Sequence, residues 1–182
     1  MRNQNLQSMI LVALFAALIS VASFIAIPIP FSAVPVTMQT FMIMVIGLLF
    51  KPKEAGLSVL LYLIIGALGL PVFAGGTGGF GVLAGPTGGF LISFVFAAIV
   101  ISVLKGKEVS IPRMAIATAV GGMLVVYAIG TPWLAFVLGL DMQTAMGAAM
   151  LPFLVGDVAK VILAVLVSYP LRKQLKQLNY ID

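Results

Sequence analysis

Asp157 and Lys160 are an acid and a base three residues apart in Gly156-Asp157-Val158-Ala159-Lys160, inside the last long apolar run of the chain. Positions i and i+3 of a helix are neighbours, with Cβ atoms ~5–6 Å apart. Ionised groups at membrane depth are expensive to keep and mark functional sites by default. Such a pair either neutralises itself as a structural ion pair or holds a polar ligand through charge-assisted hydrogen bonds. Acid–base catalysis is open to it in principle. However, no nucleophile constellation, no histidine and no second nearby carboxylate accompanies it.

A glycine-rich segment is the second feature with chemical potential. Ala74-Gly75-Gly76-Thr77-Gly78-Gly79-Phe80 returns ten residues later as Ala84-Gly85-Pro86-Thr87-Gly88-Gly89-Phe90. Glycine permits positive φ and close backbone approach to a ligand. Thr77, Gly79, Gly85, Thr87 and Gly88 are the expected contacts. Backbone N–H groups there, and at the start of the helix opening near Thr87, suit an uncharged or anionic group. No Gly-Lys-Ser/Thr follows, so this is not a nucleotide loop. Flexible-loop and helix-packing roles compete with a pocket wall.

A third segment, Ile27 to Thr40, has prolines at 28, 30 and 35 and is expected to be extended. Thr37, Gln39 and Thr40 follow with uncharged hydrogen-bonding groups. Capping of the second helix by Thr37 is as good a reading as ligand contact. The Gln39 amide, inside an apolar run, requires a partner.

The elements that must position these residues are membrane spans. The chain is 62% hydrophobic and 8% charged, whereas globular proteins carry about a quarter charged residues. Its 182 residues suffice for about six spans of ~20 residues and no soluble domain. The reading is an all-α integral membrane protein, one six-helix domain over 1–182. With no cysteine and no histidine, disulfides, thiolate chemistry and the commonest metal ligand are excluded, and no metal or cofactor is expected.

Apolar runs extend over about 8–27, 37–50, 55–70, 88–104, from 113 until they fade near Gly130-Thr131-Pro132, and 152–171. The segment 71–87 is read as neither charged nor helix-like, and Asp141 as the cap of a short helix through Met150. The first run is read as a retained span rather than a signal peptide, because it is long and lacks a small-residue cleavage site. Nine of the ten Lys and Arg residues lie at run ends or in links, and all nine fall on one face of a six-span arrangement. That face, with both termini, is expected to be cytoplasmic, and the +5 net charge is a topology signal rather than a nucleic-acid surface. The other face carries long links rich in proline, glycine and hydroxyls, where a pocket is expected. Lys160 is the tenth cation. It lies twelve residues before Arg172, ~18 Å at ~1.5 Å per residue, so with Asp157 it sits in the outer half of the membrane.

Together Val34-Pro-Val-Thr-Met-Gln-Thr40, Ala84-Gly-Pro-Thr-Gly-Gly-Phe90 and Gly156-Asp-x-x-Lys160 resemble the BioY family, the biotin-specific substrate-binding subunits of energy-coupling factor transporters. The resemblance covers essentially the whole chain. It implies a six-helix membrane protein in the cell membrane with an outward-facing biotin site. It also implies a transmembrane coupling protein (EcfT-type) carrying two cytoplasmic ATPases (EcfA-type). The family's binding Asp and Lys carry over to Asp157 and Lys160. The first helix, through Ala13-x-x-x-Ala17, would face the coupling protein; Ala22-x-x-x-Ala26 repeats that spacing. Biotin's ureido ring has two N–H donors for Asp157 and a carbonyl for Lys160. Both side chains are expected at that end, with the valerate carboxylate taking loop N–H groups. Alternatives are a self-contained secondary transporter of a small anionic or zwitterionic solute, an intramembrane enzyme, and a structural subunit. No ATPase motif exists in the chain, so coupling energy comes from partners or from a gradient.

Overall fold

The computed structural model describes residues 4–30 and 32–177, without the side chains of residues 4 and 5. Helix α1 (Gln4–Ser23) buries a narrow stripe, Ala16, Ile19 and Ala22 with Ser23, and exposes Leu6, Met9, Ile10, Leu14, Leu18 and Val21. Its hydroxyls turn inward: Ser20 donates to the Ala16 carbonyl at 2.9 Å and Ser23 to the Ser20 carbonyl at 2.6 Å. Such back-bonding satisfies these two hydroxyls within the helix.

The proline-rich link departs from an all-α description. Ala26–Ile27 (β1) and Val36–Thr37 (β2) form a two-residue antiparallel ribbon, with Ala26 opposite Thr37 and Ile27 opposite Val36. Proline denies this stretch a helix, and its extended residues satisfy each other instead. Thr37 is therefore a ribbon residue and not a helix cap. Met38 precedes α2 (Gln39–Leu49) and no side chain caps it. The second run thus splits into ribbon and a helix of 11 residues, ~16 Å long and short of the ~30 Å hydrocarbon core.

Phe50 and Lys51 turn the chain into α3 (Pro52–Ala67), whose proline occupies the first turn, where its missing N–H does no harm. Residues 68–87 are more ordered than the sequence suggests. They hold a 3₁₀ turn (Ala74–Gly76) and a short helix α4 (Phe80–Ala84). The tandem repeat in sequence is not one in structure. Gly75, Gly76 and Gly79 of the first copy have positive φ, whereas the second copy closes a turn at Pro86 and opens α5 (Gly88–Leu104). Pro86 stands where the first copy has Gly76, and proline fixes φ negative.

The fifth run does not fade at Pro132. α6 (Ile111–Ala119), a π-helical stretch (Val120–Val125) and α7 (Val126–Leu138) form one continuous 28-residue rod. Packing carries it through the proline: Gly130 lies against the Phe90 ring and Gly121 against Ile101 and the Ala97 carbonyl. Gly139, with φ 64°, ends the rod.

α8 (Met142–Ala149) starts as expected at Asp141, whose carboxylate accepts from the Thr144 N–H at 3.0 Å and hydroxyl at 2.6 Å. Those bonds, the hydroxyl's first, hold the Asp141 carboxyl below its ordinary range. Its stabilisation is therefore present above the unfolded pKa and lost as pH falls through the lowered folded one. Asp141→Ala should speed hydrogen exchange of the α8 amides at neutral pH and make no difference at a pH below that folded value.

α9 (Leu154–Gln177) completes the chain. Among the described residues, α1, the 111–138 rod and α9 are each long and apolar enough to cross a bilayer; α2 and α5 are shorter apolar helices, and α3 runs for 16 residues. Met44, Ile46, Leu48, Tyr62, Ala97, Ile101 and Met114 form a dry core between them. The links at one end are charged. Those at the other, 24–38, 68–87 and 139–153, surround a cavity.

Candidate ligand-binding site

The cavity, about 440 Å³, falls in the ~300–1,000 Å³ range of small-molecule sites. Its floor is polar. Asp157 and Lys160, on the first and second turns of α9, are 5% and 6% exposed, and Lys160 Nζ donates to Asp157 Oδ1 at 2.8 Å. Lys160 also donates to Thr40 Oγ1 at 2.9 Å, on the first turn of α2. The Tyr127 hydroxyl of α7 donates to the other oxygen of Asp157. Three helices thus meet at one ion pair.

Counting capacity shows what remains for a ligand. An ammonium has three donors, and Lys160 uses two of them on Asp157 and Thr40. A carboxylate has about four acceptor sites, of which Asp157 uses one for Lys160 and one for Tyr127. The floor therefore offers one N–H donor beside two carboxylate acceptor positions, held in a low-dielectric surround where hydrogen bonds are strong.

The walls are apolar: Phe90 and Phe94 of α5, Phe73, Phe153 and Val126 line the cavity. The proline-rich link contributes Ala33, Val34, Pro35 and Thr37, and the glycine-rich segment Thr77, Gly81, Val82, Gly85, Pro86 and Thr87. Trp133 Nε1 ties that second wall to α7 through the Gly85 carbonyl at 2.9 Å.

Of the residues expected from sequence, Asp157, Lys160, Gln39, Thr77, Gly85 and Thr87 line the cavity, whereas Gly79 and Gly88 do not. The Gly79 N–H anchors the loop to α3 through the Gly66 carbonyl at 2.7 Å, and Gly88 is buried where a Cβ would collide with the Leu83 carbonyl. The partner that Gln39 requires is Tyr62: its amide donates to that hydroxyl, which lies buried beside the edge-on ring of Phe73. Gln39 thus braces α2 on α3 as well as facing the cavity. Tyr127 is the cavity-floor residue the sequence reading missed. The signal was present, since a tyrosine inside an apolar run needs a partner as Gln39 does.

Tyr127→Phe removes one donor from Asp157 while preserving the ring. It should weaken ligand binding about ten- to a hundredfold, the usual value of one hydrogen bond to a charged group at ~1.5–3 kcal/mol. Titration calorimetry on the purified chain reads this directly, and an unchanged affinity would show that Tyr127 has no part in setting the floor.

Comparison with known proteins places this geometry. The chain matches the BioY family model over residues 1–177. It is 41% identical over 158 residues to a probable biotin transporter BioY of Pyrococcus horikoshii, covering 87% of this chain and 91% of that one. It is 39% identical over 181 residues to biotin transporter BioY2 of Lactococcus lactis, covering 98% and 97%. The fold superposes on a crystal structure of the S-component for biotin from an ECF-type ABC transporter. The TM-score is 0.88 at 32% identity, over 95% of this chain and 94% of that one. This chain belongs to the BioY family.

Proposed function

We propose that this chain is the biotin-binding subunit of an energy-coupling factor transporter, taking biotin at an outward-facing cavity and delivering it inward with partner proteins. The observation that carries the reading is the Asp157–Lys160 pair, with Tyr127 and Thr40, at the floor of an apolar cavity. The two free acceptor positions suit the ureido N–H groups, and the free ammonium donor suits the ureido carbonyl. Phe90, Phe94 and Phe153 supply an apolar surround for the thiophane ring, and the wall at Thr77, Gly85 and Thr87 supplies polar groups for the valerate carboxylate.

In this reading the chain crosses the cell membrane six times, through α1, α2, α3, α5, the 111–138 rod and α9. Both termini and the Lys- and Arg-bearing links are cytoplasmic, in accord with the positive-inside rule. The proline- and glycine-rich links are extracellular. The partners are a transmembrane coupling protein (EcfT-type) and two ATPase subunits (EcfA-type). Ala13 and Ala17, both exposed on α1 beside the exposed Leu14 and Leu18, offer a small-residue face to that coupling protein. The chain itself performs no catalysis.

The test is equilibrium binding of labelled biotin to the purified chain without its partners. Saturable binding, resisted by other vitamins, is the expected result. Absence of binding in a folded preparation would remove the assignment.

A further inference from the structure

A second cavity, about 370 Å³, lies at the opposite, charged end of the bundle. Lys51, Lys105, Lys107 and Arg172 line it together with Phe50 and Val103, and among the described residues no Asp or Glu lines it. Two of these cations are buried: Lys105 is 7% exposed and Arg172 1%. Their hydrogen bonds go to neutral carbonyls. Lys105 Nζ donates to the Gly47 carbonyl at 2.9 Å and to that of Phe50, and Arg172 Nη2 donates to the Gly106 carbonyl.

The other terminal nitrogen of Arg172, Nη1, is buried with no hydrogen-bond partner among the described residues. An unsatisfied buried donor costs ~1–3 kcal/mol, and more when it is charged. Native structures rarely leave such a group empty-handed. The Lys105 ammonium, just beyond the end of α5, reports the same excess of charge. Burial first, then the nearby Arg172 guanidinium, against an opposing pull from Glu54, bring it down to about 7. Glu54 does not line the cavity; its Oε1 accepts from the Ser8 hydroxyl, and its Oε2 is buried with no hydrogen-bond partner among the described residues, including these cations.

The missing partner is therefore an anion. A guanidinium with a free terminal nitrogen, flanked by ammonium groups, matches a phosphate. What lies beside the cavity decides the source. Val103 is 59% exposed, and Phe96, seven residues earlier on the same face of α5, is 51% exposed. A soluble phosphate has no use for an apolar track leading away from its site, whereas a phospholipid needs one for its acyl chains. We propose that this cavity binds the phosphate of an anionic phospholipid, with the acyl chains lying along Val103 and Phe96. Basic pockets between spans at the cytoplasmic surface are a known way to hold acidic headgroups.

The experiment uses the full chain in detergent, supplied with equal amounts of phosphatidylglycerol and phosphatidylcholine. Retained lipid and biotin are read together by native mass spectrometry. The wild type should retain phosphatidylglycerol in preference. Arg172→Gln should lower that preference about fivefold, and a Lys51→Gln/Lys107→Gln variant, altering two exposed side chains, about fivefold per residue removed. Biotin occupancy of the outer cavity should be unchanged throughout, which separates lost lipid from lost fold. Equal retention of the two lipids by the wild type, or an unaltered preference in both variants, would overturn the proposal. Displacement of the lipid by excess inorganic phosphate would overturn the lipid source in favour of a free anion.

Discussion

Asp157→Asn and Lys160→Ala should each weaken biotin binding about a hundredfold or more. Hydrogen bonds to charged groups are worth ~1.5–3 kcal/mol apiece, and each substitution removes the ligand's bond and disturbs the surviving partner. The two variants fail for different reasons. Asp157→Asn leaves a buried ammonium with neutral acceptors only, the Thr40 hydroxyl and an amide oxygen, and breaking a buried ion pair by removing the charge of one member costs ~3–5 kcal/mol. It should therefore lower the melting temperature of the empty protein as well. Lys160→Ala leaves a buried carboxylate that still accepts from Tyr127 but has lost its counter-charge, so it too should lower the melting temperature of the empty protein.

The pair is in direct contact at 2.8 Å, so the double variant should lose much less than the sum of the single losses. The same variants decide which end of biotin Lys160 reads. If it holds the ureido carbonyl, Lys160→Ala weakens biotin and a tail-amidated biotin by equal factors. If it holds the carboxylate, only the acid loses affinity. Calorimetry with the two ligands settles the matter, and full affinity in both single variants would remove the pair from the site altogether.

The spacing and depth of Asp157 and Lys160 made the floor of the site legible, because few physical arrangements tolerate ionised groups there. Asp141 as a cap and Gly88 as the start of α5 were legible for a similar reason, since local chemistry dictates both. The misread parts depend on contacts between elements. Pro132 reads as a stop until Gly130 is seen packed on Phe90, which lets the rod continue. The ribbon at 26–37 exists because two extended strands pair across eight intervening residues, which no local pattern announces. Phe73, Phe90, Phe94 and Phe153 line the cavity, yet nothing distinguishes them in sequence from the other eight of the chain's 12 phenylalanines. The repeat is legible as a structured wall, yet its two copies fold differently, because Pro86 cannot take the positive φ of Gly76.

Gly88 turns that last point into a measurement. A ligand-contact role and a packing role predict different outcomes for Gly88→Ala. The new methyl would meet the backbone of Leu83, its carbonyl oxygen, carbonyl carbon and Cα, with no flexible side chain to yield. Relief requires moving the end of α4 away from the start of α5. Overpacking of this kind costs ~1–3 kcal/mol, and a backbone obstacle puts Gly88 at the upper end. The empty protein should melt at a clearly lower temperature. Biotin affinity should fall too, because Val82, Gly85, Pro86 and Thr87 ride on the displaced segment, and the Gly85 carbonyl accepts from both Trp133 and the Gly88 N–H. Gly81→Ala is the matched control, for Gly81 also lines the cavity but has open space where its methyl would go. It should leave the melting temperature of the empty protein unchanged. An empty Gly88→Ala protein that melts like the wild type, yet binds biotin weakly, would return Gly88 to the ligand and show that α4 can shift at little cost.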